Sequence, residues 1–203
     1  MTEFYTEQHR ALQERFDTQR LADRLEESLV HDVITASEKA FIETRDMFFL
    51  ASVDARGRPN CSYRGGDPGF VRIVDAHTIA FPNYDGNGMY LSMGNVLGTS
   101  RVGILFIDFE NPQRLRYNGD ASIDFDDPLR DNFPEAQFVV RVHAREIFGN
   151  CPRYIHRMKL IERSRFVPKP GCATPVPAWK KGEWVADVLP EGDAAREEGR
   201  EVL

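Results

Sequence analysis

Apolar residues near the start of the chain recur at helical spacing. Leu12, Phe16, Leu25, Leu29 and Val33 fall at steps close to multiples of 3.6, with Glu, Arg and Gln between them. Thr35-Ala-Ser-Glu38 has the spacing of a capping box, which predicts a second helix carrying Ala40, Phe41 and Ile42. The pattern changes at Met47. Met47 to Val53 is a short apolar run ended by the turn signal Asp54-Ala-Arg-Gly57, and Pro59 to Arg64 is the expected returning strand. Phe70 to Val74 and Thr78 to Phe81 form a second expected hairpin about Asp75-Ala-His77. Val102 to Phe109 is strongly β, and Asn111-Pro112 turns the chain into Leu115 to Ile123. In that segment Leu115, Tyr117, Ala121 and Ile123 alternate with polar neighbours. Val140, Val142 and Ala144 do the same within Phe138 to Phe148. Both patterns suit half-buried antiparallel strands.

A helix from about Gly88 to Gly98 interrupts the strands, with Met89, Met93, Val96 and Leu97 on one face and Asn87-Gly88 at its start. A further helix is expected from Pro152 to Glu162, since proline suits a first helical turn. The Pro- and Gly-rich remainder should be extended, with a charged, frayed tail from about Pro190. The expected organisation is a helical arm over 1–45, a mainly β barrel over 46–165, and an extended segment over 166–203. Six or seven short strands around one helix suggest a small antiparallel barrel that closes its own edges.

Composition narrows the function classes. With 203 residues the chain can bury about 70% of its unfolded surface without metal or disulfide staples. The 26 Lys and Arg against 32 Asp and Glu leave a net charge of −6, which disfavours nucleic acid and anionic membrane as partners. No apolar run approaches the about 20 residues of a membrane span. Met1 to Arg20 is polar and does not resemble a signal peptide. Scattered Cys61, Cys151 and Cys172 suit reduced thiols, so a cytoplasmic location is expected.

The motifs of Rossmann dinucleotide binding, the phosphate loop, the nucleophile elbow and the HExxH zinc site are absent. The notable stretch is Cys61-Ser-Tyr-Arg-Gly-Gly-Asp-Pro-Gly-Phe70, followed by Ile79-Ala-Phe-Pro-Asn-Tyr-Asp-Gly-Asn-Gly-Met89. It brings a strand bearing Ser62 and Arg64 toward a Gly-rich turn that opens a helix. Free N–H groups at a helix start, a hydroxyl and a guanidinium together make a phosphate site. The competing reading is two ordinary turns, with Arg64 a solvated surface charge.

The run from Asp46 to Ile123 resembles the FMN-binding split-barrel family of pyridoxamine 5′-phosphate oxidase. The resemblance is carried by Met47–Val53, Ser62-Tyr-Arg-Gly65, Pro68-Gly-Phe-Val71, Phe81-Pro-Asn-Tyr-Asp-Gly-Asn-Gly88, Val102–Phe106, Leu115-Arg-Tyr-Asn-Gly119 and Asn150-Cys-Pro-Arg-Tyr-Ile-His156. It implies an FMN-binding split barrel with the phosphate held by Ser62 and Arg64 on one side and Gly86, Asn87, Gly88 and Met89 on the other, and with Tyr63 among the cofactor-binding residues. It also implies that Phe81, Pro82 and Asn83 border the ribityl chain and ring, and that Arg114 stands where the oxidases carry a flavin-approaching Gln. A homodimer completing the cleft follows from the same resemblance.

The departures are specific. The oxidases open this helix with Ser-Arg-Lys, whereas this chain has Gly86-Asn87-Gly88, and the C-terminal part, with Trp179 and Trp184, lacks their substrate-phosphate motif. Pyridoxamine phosphate is therefore not the expected substrate. Cys151 with His156 lacks the second ligand pair of a zinc site, and His143 reads as a hydrogen-bonded strand residue rather than a base. Arg141 to Lys169 carries eight basic residues against Glu146 and Glu162, either a solvated face or a phosphate contact across a dimer. Two functions remain: an FMN-dependent oxidoreductase of an unidentified small molecule, or a binding or sensing module for flavin, deazaflavin or haem without turnover.

Overall fold

In the computed structural model, which describes residues 4–198, the apolar run Met47–Val53 is strand β1. Its Phe48, Leu50 and Ser52 turn inward and are buried. The turn after it closes because the Asp54 carboxylate accepts from the Arg56 and Arg58 N–H groups at 2.8 and 2.9 Å, while Gly57 takes a positive φ of 79°. The chain returns as β2 (Pro59–Gly65), then forms the short β3 (Arg72–Ile73), β4 (Thr78–Asn83), β5 (Arg101–Asp108), β6 (Gln113–Asp124) and β7 (Phe138–Gly149). The seven strands make one sheet in the order β2-β1-β5-β6-β7-β4-β3, and every pairing is antiparallel. The mainly β expectation holds.

Alternation sets which side chain faces inward. Phe48, Phe81, Phe106 and Tyr117 meet in the core, with Phe48 and Phe81 edge-to-face at 4.9 Å. Tyr117 stays satisfied there by donating its hydroxyl to the His77 and Val142 carbonyls at 2.6 and 3.2 Å, and burial pushes its phenol pKa up. The β6–β7 ladder shifts register at Asn118/Gly119, where a Cβ on Gly119 would stand 2.1 Å from the His143 carbonyl oxygen. Only glycine fits that approach.

Before the sheet come α1 (Glu7–Arg15), α2 (Gln19–Leu29) and α3 (Ala36–Glu43). The capping box at Thr35 is formed: its hydroxyl accepts from Glu38 N–H and the Glu38 carboxylate accepts from Thr35 N–H at 2.9 Å. The apolar residues that predict α1 and α2 are exposed, Leu12, Phe16, Leu25 and Leu29 included. Between β4 and β5 lies α4 (Leu91–Thr99), whose Met93 and Val96 enter the core.

Three expectations are corrected. Helix α4 begins at Leu91, not Gly88, because Asn87 Oδ1 accepts from Met89 N–H at 3.1 Å and Tyr90 takes a left-handed φ of 48°, so 87–90 is a turn. No helix forms from Pro152 to Glu162. There the backbone is held extended along the β5–β6 connection by Met158 N–H donating to the Phe109 carbonyl at 3.0 Å and Leu160 N–H to the Glu110 carboxylate at 3.3 Å. The described residues divide into two compact units at Leu160 and Ile161. Within the second lies the segment from 166 onward, expected to be extended, which instead carries a 3₁₀ turn (Ala178–Lys181), α5 (Glu183–Ala186) and α6 (Ala194–Glu198), with Lys180 ion-paired to Asp193 at 2.7 Å. The last residues of the expected frayed tail lie outside the described residues.

Candidate functional site

The period of two along β2 puts Asn60, Ser62 and Arg64 on one face and Cys61 and Tyr63 on the other. The first face looks toward the start of α4. Asn60 donates its side-chain amide to the Ser92 hydroxyl at 3.0 Å, and the Ser62 and Ser92 hydroxyls lie 3.0 Å apart. Arg64 reaches across to β4 and donates Nη1 to Asn83 Oδ1 at 3.0 Å. Asn83 is itself fixed, donating to the Tyr84 carbonyl at 3.1 Å and to Gln137 Oε1 at 3.0 Å. Tyr90 donates its hydroxyl to the same Gln137 oxygen at 3.1 Å, which ties the turn before α4 to the loop before β7.

These groups line a cavity of about 190 Å³ between β2, the end of β4 and the 84–93 segment. Its walls are Asn60, Ser62, Arg64, Asn83, Tyr84 and the stretch from Gly86 to Met93. Two features of the cavity are favourable to an anion. The Arg64 Nε is buried and has no hydrogen-bond partner among the described residues, and burial alone holds the guanidinium below its usual pKa. Helix α4 has no side-chain cap, so the N–H groups of its first turn, at Leu91, Ser92 and Met93, lack intrahelical acceptors beside the same cavity. Arg64 is the one Lys or Arg in the cavity wall. Burial also pushes the Tyr84 phenol up to about 12, helped by the charges of Asp67 and Glu135, so Tyr84 is a neutral hydroxyl there.

Of the residues expected at the site, Ser62, Arg64, Asn83, Gly86, Asn87, Gly88 and Met89 are brought together. The reading of Arg64 as a solvated surface charge does not hold. Tyr63 is on the opposite face of β2, 62% exposed and edge-on to Phe49 at 6.2 Å. Phe81 is fully buried in the core, and Pro82 is buried in β4; neither lines the cavity. Arg114, on β6, lies away from it and donates Nη2 to Asn150 Oδ1 at 2.6 Å and to the Cys151 carbonyl at 2.8 Å. Asn60, Tyr84, Tyr90 and Ser92 line the cavity and, with Gln137 behind it, were not anticipated. The strand period anchored on Ser62 points to Asn60, and Tyr84 adjoins the anticipated Asn83; Tyr90 and Ser92 follow only from the true start of α4, and Gln137 only from its bond to Asn83.

The family model described as pyridoxamine 5′-phosphate oxidase matches residues 34–163. No curated protein matches the chain. Among solved structures, HupZ from Group A Streptococcus is 22% identical, the match covering 57% of this chain and 93% of that one at a TM-score of 0.46. An FMN-binding protein from Syntrophomonas wolfei is 16% identical over 69% of this chain and 97% of that one, at a TM-score of 0.42. HutZ, the heme storage protein of Vibrio cholerae, is 21% identical over 57% and 94%, also at 0.42.

Proposed function

The chain belongs to the pyridoxamine 5′-phosphate oxidase family and has its mainly β split-barrel fold, and from that premise we propose that the cavity between β2 and α4 takes the phosphate end of FMN. The observation that carries the proposal is the buried, unpartnered Arg64 Nε facing a helix start without a side-chain cap. A guanidinium without a counter-ion in a partly dry site is unfavourable until an anion arrives. Ser62, Ser92 and Asn60 add neutral donors, and Asn83 holds the Arg64 side chain in place.

The cavity is smaller than the roughly 300–1,000 Å³ of a pocket that encloses a drug-sized ligand. It suits the phosphate and the near end of the ribityl chain, with the ring system beyond it. A homodimer, in which a second copy supplies the remaining wall, is part of the proposal. So is a cytoplasmic location; no helix among the described residues is long and apolar enough to cross a membrane.

The activity proposed is oxidoreduction of a small molecule, for which bound flavin supplies the redox chemistry. The chain's residues bind and orient. The alternative is a flavin, deazaflavin or haem module without turnover. The wall of guanidinium, amides and hydroxyls suits phosphate oxygens better than an iron porphyrin, which favours flavin in this cavity. The absorption spectrum of the purified protein, followed by FMN titration and reduction with NADPH, tests both readings. A flavin spectrum that bleaches and reoxidises supports the oxidoreductase. Flavin that binds without bleaching supports the module, and a haem spectrum with no FMN binding at tens of micromolar overturns the FMN assignment.

A further inference from the structure

The polar groups of the cavity are themselves oriented from outside it. Asn83 is buried at the end of β4, and both ends of its amide are committed. Arg64 Nη1 can only donate, so the atom it meets at 3.0 Å is the Asn83 oxygen. The Tyr84 carbonyl can only accept, so the atom it meets at 3.1 Å is the Asn83 nitrogen. The second proton of that nitrogen goes to Gln137 Oε1 at 3.0 Å. With Gln137 so oriented, the Tyr90 hydroxyl, 3.1 Å from the same oxygen, can only donate to it. One acceptor oxygen thus receives two donors, one tied to Arg64 and the other at the start of α4.

Gln137 does not line the cavity; it immediately precedes β7. Its place is fixed by the protein. Its own N–H donates to the Asn83 carbonyl at 2.9 Å, and the Ala136 N–H before it donates to the Phe133 carbonyl at 3.2 Å. Phe133 is buried with Ala80 and Val139, which anchors this stretch on β4 and β7. Tyr90, in contrast, is exposed and takes a left-handed φ of 48°, a conformation that a non-glycine keeps only when its surroundings hold it.

We infer that Gln137 is a positioning residue for the anion site. Its Oε1 holds Asn83, which fixes Arg64, and holds Tyr90, which fixes the turn leading into the first N–H groups of α4. The inference rests on the reading of this cavity as the seat of the FMN phosphate, and it adds a residue that itself touches no ligand. Removing the oxygen leaves a buried Asn83 proton without its acceptor and releases the Tyr90 tether. Arg64 and the helix start would then have to be ordered when phosphate binds, and that ordering lowers affinity. The flavin ring, beyond the cavity in this reading, should feel little of it.

Calorimetric titration with FMN and riboflavin tests the inference in two variants. Gln137→Met removes the acceptor at similar length, and Gln137→Glu keeps an oxygen for both bonds. Gln137→Met should weaken FMN binding by about tenfold and riboflavin binding by less than about twofold, and Gln137→Glu should recover part of the loss. In an Arg64→Ala background, Gln137→Met should cost FMN clearly less than in the parent, because part of its effect passes through Arg64. Should Gln137→Met fail to fold, Tyr90→Phe removes one of the two bonds and should still weaken FMN more than riboflavin. Nitrogen–proton correlation spectra of the ligand-free protein supply a readout independent of flavin. The Asn83 amide pair and the Arg64 Nε–H, identified by their loss in Asn83→Ala and Arg64→Ala, should shift in Gln137→Met and move back in Gln137→Glu. Shifted signals in a protein that binds no FMN would overturn the flavin reading and support the role of Gln137. Unmoved signals, equal losses for FMN and riboflavin, or the same loss with and without Arg64 would overturn the inference.

Discussion

Replacing Arg64 with alanine separates phosphate recognition from flavin recognition. The side chain donates to Asn83 at 3.0 Å and leaves Nε buried without an acceptor. Burial alone lowers its pKa, so no carboxylate among the described residues shares its charge. The second source of positive potential is the start of α4, worth about 0.3–1 kcal/mol to an exposed anion and up to about 2 in partly buried geometry. Most of the phosphate charge therefore falls on Arg64. Truncating one partner of a desolvated, hydrogen-bonded charge pair costs about 2–5 kcal/mol, which is on the order of 30- to several-thousand-fold in affinity. The cavity opens to solvent, so the lower half of that range is expected. Calorimetric titration of parent and variant with FMN and with riboflavin is the assay: FMN should lose that factor, and riboflavin, without a phosphate, should lose little. Equal losses for the two ligands would refute the reasoning and make Arg64 a structural residue, with the basic segment about Arg153 and Arg157 the better phosphate candidate. Asn87→Ala should cost less, about 0.5–1.5 kcal/mol, because its Oδ1 already accepts from Met89 N–H and a neutral group contributes less.

Three further outcomes are expected. The Asp127 carboxylate, buried in the turn before β7, accepts from Arg141 Nη2 at 3.1 Å and from Leu129 N–H at 2.9 Å, and the Arg141 hydrogen bond leads the causes that lower its pKa. Its contribution is thus present above the unfolded-state pKa and lost as pH falls through the lower folded value. Asp127→Asn should destabilise by about 1.5–3 kcal/mol at neutral pH and flatten the acid limb of a urea-midpoint profile; parallel limbs in parent and variant would count against the linkage. Gly119→Ala forces a Cβ onto the His143 carbonyl, so chemical denaturation should show a loss of about 1–3 kcal/mol or more. Sedimentation of FMN-loaded protein should give twice the 23.2 kDa chain mass; a monomer with full FMN occupancy would contradict the dimer.

The sheet was legible because burial on one face imposes alternation. Leu115, Tyr117 and Ala121 turn into the core while Arg116, Asn118 and Asp120 remain outside, and a slip of one residue would exchange the sets. The segment after β7 was not legible, because its conformation is decided by partners distant in sequence. Pro152 is a sound local helix signal, yet Phe109 and Glu110 supply acceptors to Met158 and Leu160 that an extended chain reaches. Local propensity loses to such long-range bonds. The exposed apolar residues of α1 and α2 show the converse: a helical period marks a helix without revealing what its face meets.

The site was legible in its polar members for the same reason as the strands. Ser62 and Arg64 share a face of β2, so a residue that serves one must lie near the other. Phe81 shows the limit of reading neighbours in sequence as neighbours in a site. In β4 every side chain from Thr78 to Asn83 is buried, because the strand is covered on both faces, and only Asn83 at its end turns into the cavity. Tyr63 and Arg114 were grouped with the cavity yet stand on the other face of the sheet, whose register aligns Tyr63 with Arg116 through Phe49 and Leu105. One copy of the chain therefore cannot bring Arg114 to a ligand that Arg64 holds through the sheet. A contact between Arg114 and that ligand requires a second copy of the chain, and sedimentation of the FMN-loaded protein tests that requirement.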